Sequence, residues 1–71
     1  MTQAQKIVEY INRFGSITTM EAFMDLGIAR LASRIYDLKC EGYHIESDTV
    51  TKKNRYGEEV RYSRYWIKEN T

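Results

Sequence analysis

The stretch that decides the fold runs from Thr18 to Gly42, TTMEAFMDLGIARLASRIYDLKCEG. It divides into two helical patterns separated by a tight turn at Leu26-Gly27-Ile28. The second pattern carries Leu31, Ile35 and Leu38 at spacings of four and three, the core stripe of a helix. Its other face shows Arg30, Ser33, Arg34 and Lys39, groups that hydrogen-bond phosphates and base edges. A short apolar helix, a glycine turn and a longer helix with a basic polar face make a helix-turn-helix over about 19–41. In that motif the second helix enters the major groove of duplex DNA.

Within the stretch, Thr18 and Glu21 have the T-x-x-E spacing of a capping box, which starts the first helix of the pair. Ala22, Phe23 and Leu26 are expected on its buried side, with Met20 at the edge and Ile28 plugging the turn. A residue as small as Ala22 suits a close helix crossing. The second helix is expected from about Ala29 to Lys39 or Glu41, ended by Gly42. Arg30, Ser33, Arg34 and Tyr36 are expected to face DNA, with Arg30 and Arg34 as the base readers one turn apart. The competing reading makes Arg30 and Arg34 surface partners of Asp37 and places Tyr36 at the core rim.

Upstream, Thr2 and Gln5 form a T-x-x-Q capping-box pattern. Ala4, Ile7, Ile11 and Phe14 recur at three and four, with Val8 beside them, so a scaffold helix precedes the motif and ends at Gly15. Ser16-Ile17-Thr18 is too short for a helix and reads as a minimal third strand with Ile17 inward. Downstream the period changes. Residues 47–53 are rich in β-branched residues and 60–67 in aromatic and β-branched ones; they flank Asn54-Arg55-Tyr56-Gly57-Glu58, so they form a hairpin with a loop of four or five residues. Tyr65 and Ile67 share one parity, whereas Val60, Tyr62 and Trp66 have the other. A bulge, or a twisted tip that leaves the core, would reconcile them. The expected core is Ile7, Ile11, Phe14, Ile17, Phe23, Leu26, Ile28, Leu31, Ile35, Leu38, Ile45, Tyr65 and Ile67.

Helix, short strand, helix-turn-helix and hairpin, in that order, describe an α+β winged helix-turn-helix. The whole of 1–71 reads as a single domain, with the wing at about 45–67. The wing brings Lys52, Lys53, Arg55 and Arg61 to its tip and flanks, where phosphates or the minor groove would be met, and Arg64 adds charge further back. The formal net charge is only +1, so distribution matters more than the total. Residues 52–64 hold Lys52, Lys53, Arg55, Arg61 and Arg64 against Glu58 and Glu59. Basic residues on a hairpin can also serve solubility alone.

Phe14-Gly-Ser-Ile-Thr-Thr, the run from Asp25 to Leu38 (DLGIARLASRIYDL) and Lys53-Asn-Arg-Tyr-Gly-Glu together resemble small winged helix-turn-helix domains encoded by bacteriophages and other mobile elements. The resemblance covers nearly the whole chain. It implies double-stranded DNA binding and a regulator of transcription or recombination, repressor- or excisionase-like, in a bacterial host cytoplasm. Glu58-Glu59 departs from a purely basic wing. A dimer or tandem binding on DNA is expected, because one module this small buries modest DNA surface.

The alternative is a protein-binding module that inhibits or modulates a host or viral complex; near-neutral charge and the aromatics Tyr56, Tyr62 and Trp66 speak for it. An enzyme is not expected. The single Cys40 and single His44 cannot build a zinc cage, and there is no glycine-rich phosphate loop, so neither metal nor cofactor is implied. One unpaired cysteine fits a reducing compartment, and no run is apolar enough for a membrane span.

Overall fold

The computed structural model describes residues 1–68. Helices α1 (Gln3–Phe14), α2 (Thr19–Leu26) and α3 (Leu31–Cys40) and strands β1 (Ile17–Thr18), β2 (Ile45–Lys53) and β3 (Glu59–Ile67) follow in the order α1-β1-α2-α3-β2-β3. Three helices with a three-stranded antiparallel sheet are the α+β winged architecture that the sequence leads one to expect.

The helix starts are written in side chains. Thr2 Oγ1 accepts from the Gln5 N–H at 3.1 Å, and Gln5 Oε1 accepts from the Thr2 N–H at 2.8 Å. At α2, Thr18 Oγ1 accepts from the Glu21 N–H at 3.0 Å and Glu21 Oε1 from the Thr18 N–H at 2.9 Å. Each box satisfies two N–H groups that a helix end would otherwise leave without partners. Gly27 stops α2 at φ 68° and donates to the Phe23 carbonyl at 3.1 Å, while Ile28 donates to the Ala22 carbonyl at 3.0 Å. That left-handed turn carries Ile28 straight into the core, where it is 1 % exposed.

The third helix begins at Leu31, two residues later than its apolar spacing suggests. Arg30 is its N-cap and makes no capping bond, because an arginine offers no side-chain acceptor to the first-turn N–H groups. At the other end the Tyr43 N–H donates to the Leu38 carbonyl and the Gly42 N–H to the Lys39 carbonyl, both at 3.1 Å. Gly42, at φ 104°, closes this Schellman motif and turns the chain into the wing.

The sheet order is β1-β3-β2. The hairpin register runs unbroken from Ile45 opposite Ile67 to Lys53 opposite Glu59, so there is no bulge. The two parities are simply two faces. Ile17, Ile45, Tyr65 and Ile67 meet the helices, and Trp66, Arg64 and Tyr62 lie on the outer face opposite Glu46, Asp48 and Val50. Residues 51–61 are all exposed, so the tip does leave the core.

The buried cluster is Ile7, Ile11, Ile17, Ala22, Ile28, Leu31, Ile35, Leu38 and Ile45, with Leu26, Tyr65 and Ile67 packed against it. Two expected core residues are outside it. Phe14 is 61 % exposed: it is the last residue of α1, Ile17 fills the core beyond it, and its ring leans instead on Tyr10, 4.6 Å between centroids. Phe23 is 59 % exposed, because Ala22 and Leu26, one turn apart, set the buried ridge of α2 and Phe23 stands about 100° round from Ala22.

Candidate nucleic-acid interface

The core stripe Leu31, Ile35 and Leu38 fixes the rotation of α3 and hence what it shows to solvent. Ser33, Tyr36, Lys39 and Cys40 are exposed on the side away from the stripe, Tyr36 by 68 %. Tyr36 is therefore not a core-rim residue. Arg30 is exposed at the N-cap, in the turn itself and before the first helical residue. Arg34 lies nearer the core flank, half-buried, with its Nη1 3.4 Å from Asp37 Oδ2. The even spacing of Arg30 and Arg34 thus does not place them in one helical row: one belongs to the turn and the other to the side of α3.

Four residues, Glu41 to His44, join α3 to the hairpin, so recognition helix and wing are consecutive. The wing tip is held by one side chain. Asn54 Oδ1 accepts from the Tyr56 N–H at 2.9 Å and the Glu58 N–H at 3.0 Å. The Asn54 N–H donates to the Glu58 carbonyl at 2.8 Å, and the Gly57 N–H to the Asn54 carbonyl at 3.0 Å. These four bonds order a five-residue loop and leave Arg55 and Tyr56 outermost, Tyr56 being 85 % exposed.

The ion pairs sort the basic residues. Arg64 is committed to Asp48 by two hydrogen bonds, Nε to Oδ1 at 3.0 Å and Nη2 to Oδ2, and its guanidinium stands 5.8 Å from the Trp66 ring centroid. That partnership raises the pKa of a group already charged at any ordinary pH, so it is a positional rather than a titrating feature. Arg61 reaches Glu59 at 3.8 Å, a loose surface contact. Arg30, Lys39, Lys52, Lys53 and Arg55 have no carboxylate within ion-pair distance among the described residues. Glu59, which stands opposite Lys53 and beside Arg61, supplies the counter-charge at the base of the tip without reaching Arg55.

Two features are not legible in the sequence alone. The Tyr10 hydroxyl donates its one proton to Asp25 Oδ2 at 2.6 Å, with Glu21 Oε2 3.3 Å away, tying α1 to α2; the Asp25 hydrogen bond, then burial and the Glu21 charge, push its phenol well above the ordinary tyrosine range. Its place beside the Ile7–Ile11 stripe gives no hint of a polar role. Met20 and Met24 join Phe23 in an exposed apolar strip on α2, whose apolarity suggests burial.

Among the described residues no group of three or more His, Cys, Asp or Glu side chains gathers that could hold a metal ion, and no helix is long and apolar enough to cross a membrane. Comparison with curated proteins and with solved structures gave no match. A family model described as a winged helix-turn-helix domain matches residues 2–70, nearly the whole chain, on a fold whose ordinary work is to bind DNA rather than to catalyse. With the helix-turn-helix and the wing both in place, the chain belongs to the winged helix-turn-helix domain family.

Proposed function

We propose that the protein binds double-stranded DNA as a regulator of transcription or recombination, with α3 in the major groove and the wing on phosphates. The observation that carries this reading is the placement of the side-chain cations that have no ion-pair partner among the described residues, five of which lie at α3 and on the wing and two, Lys6 and Arg13, on α1. Lys52, Lys53 and Arg55 crowd one ordered tip, while Arg30 and Lys39 bracket the exposed face of α3. Phosphates are met by such unpartnered charges, which release counterions when they bind. Ser33 and Tyr36 lie between Arg30 and Lys39 and would meet base edges, phosphates or ordered water. Arg34 joins them by exchanging Asp37 for a guanine. Arg61 gives a weaker phosphate contact because Glu59 shares it, and Arg64 acts through the shape of the wing. The resemblance to phage and mobile-element domains supports a bacterial cytoplasm as the place of action.

Fluorescence anisotropy with a labelled duplex of mixed sequence tests the proposal. The wild-type chain should bind at low salt, and Lys53→Ala/Arg55→Ala should weaken that binding about tenfold or more on any duplex, with an unchanged far-ultraviolet spectrum. Binding that the double variant leaves intact would remove the wing from the interface. A chain that binds no duplex at all would move the reading to a protein partner.

A further inference from the structure

In the order β1-β3-β2, strand β2 is an outer strand, and among the described residues nothing pairs with its far side. The hydrogen bonds of the hairpin tell which groups face outward. Lys68 N–H donates to the His44 carbonyl at 2.7 Å and Asn54 N–H to the Glu58 carbonyl at 2.8 Å. Even-numbered residues of β2 therefore spend their backbone groups on β3. The odd-numbered ones, Ile45, Ser47, Thr49, Thr51 and Lys53, turn N–H and C=O away from it. This leaves a nine-residue edge, about 30 Å long, with open donors and acceptors along it. Proteins usually blunt such an edge with proline, a bulge, a covering segment or charged side chains, and of these devices β2 shows, among the described residues, only the charges of Glu46, Asp48, Lys52 and Lys53. The chain has no proline, and the register of β2 is unbroken.

The edge is also self-complementary in charge. Glu46 and Asp48 lie in its first half, Lys52 and Lys53 in its second. Two copies running antiparallel about a dyad at Thr49 would bond Ile45 to Lys53, Ser47 to Thr51 and Thr49 to Thr49. Ser47, Thr49, Thr51 and Lys53 are exposed, and none of the five bonds its backbone groups to β3; Ile45, at 8 % exposure, marks the closed end of the edge. Glu46 would then face Lys52 twice, in the pairs that exchange no backbone bonds and bring side chains closest. Glu46 meets Lys68 at 3.3 Å on the surface, which leaves its second oxygen for that lysine. Other registers fit worse. A dyad at Asp48 sets two carboxylates against each other. A dyad at Val50 offers Lys52 an Asp48 that Arg64 already holds. Parallel pairing sets like charge beside like.

We infer that β2 is a self-docking edge, through which a second copy of this chain joins its three-stranded sheet to the first in one continuous antiparallel sheet. The inference stands on strand geometry and charge and does not require DNA.

Sedimentation of the DNA-free full chain over a wide concentration range tests it. The wild type should pass from monomer to dimer. Lys52→Glu should weaken the dimer about tenfold or more, since both symmetric pairs become repulsive, and Glu46→Lys/Lys52→Glu should restore it to within about threefold. Thr49→Pro should give a monomer with the wild-type circular dichroism, because the N–H it removes is not bonded to β3. A wild type that stays monomeric overturns the inference. So does a dimer indifferent to Lys52→Glu, or one that the charge swap fails to restore. The charge variants decide alone if Thr49→Pro does not fold. A monomer that still binds duplex DNA would sink this edge and leave the DNA reading standing.

Discussion

On the proposed function, a guanine would compete with Asp37 for the Arg34 guanidinium. In the free protein Asp37 holds it at 3.4 Å across an i,i+3 spacing, with both side chains about half exposed. Such a helix-surface pair contributes about 0.3–0.5 kcal/mol. A bidentate contact to guanine O6 and N7 discriminates by about 1–3 kcal/mol. A guanine contact would be the stronger of the two, so Asp37 would park the side chain without blocking it. Arg34→Ala should therefore cost about 1–3 kcal/mol on a duplex selected from random sequence and far less on its scrambled counterpart, measured by competition at one salt concentration. An equal loss on both would make Arg34 a phosphate contact. At this scale the sequence is legible where periodicity and hydropathy agree: Ile7, Ile11, Leu31, Ile35 and Leu38 are all buried. It misleads where an apolar residue sits at a helix end or beside a smaller core residue, as Phe14 and Phe23 do. A domain this small has few interior places, and Ile17 and Ala22 occupy the ones those rings would need.

The elements are legible to the extent that their ends are written in side chains. Both capping boxes form at Thr2 and Thr18, and Gly27 and Gly42 stop α2 and α3. Apolar spacing puts the start of α3 two residues early because Ala29 and Arg30 carry no capping signal in either direction. How α1 joins α2 is not legible at all, since it rests on a phenol among apolar neighbours. Tyr10 donates its proton to Asp25 beside Glu21 on α2, and only its protonated form can. Its pKa is therefore raised in the fold above the ordinary 10.0. A raised pKa means that the stabilisation is fully present below the unfolded value and is lost as pH rises through the folded one. Tyr10→Phe should cost about 0.5–1.5 kcal/mol at neutral pH, a modest figure because the bond lies near the surface. Denaturant unfolding at a series of pH values should show the wild type and the variant separated by a constant gap up to about pH 10, which then closes at higher pH. A gap that stays constant far into alkali would mean that the hydroxyl does not anchor α2.

For the whole molecule, net charge and local charge point in different directions. At +1 the protein has almost no long-range field to draw it to DNA. The acidic side chains are not spread evenly, however. Glu21 and Asp25 are engaged between α1 and α2, Asp48 is locked to Arg64, and Asp37 and Glu59 each touch one arginine. Among the described residues the side-chain cations outside any ion pair are Arg30, Lys39, Lys52, Lys53 and Arg55 at α3 and on the wing, which the proposed interface would use, and Lys6 and Arg13 on α1, which it would not. Counterion release depends on contacts made, not on net charge, and each neutralised phosphate adds about −0.9 to the slope of log K against log salt. A monomer that uses most or all of those α3 and wing cations should therefore show a slope of about −3 to −5 on mixed-sequence duplex, far steeper than +1 would suggest. Lys53→Ala should reduce the magnitude of that slope by about one. Lys6→Ala, on the scaffold helix α1, should leave it unchanged although it removes the same formal charge. Equal effects from the two substitutions would mean that the duplex senses only the overall charge, and the division of labour between α1 and the wing would fall.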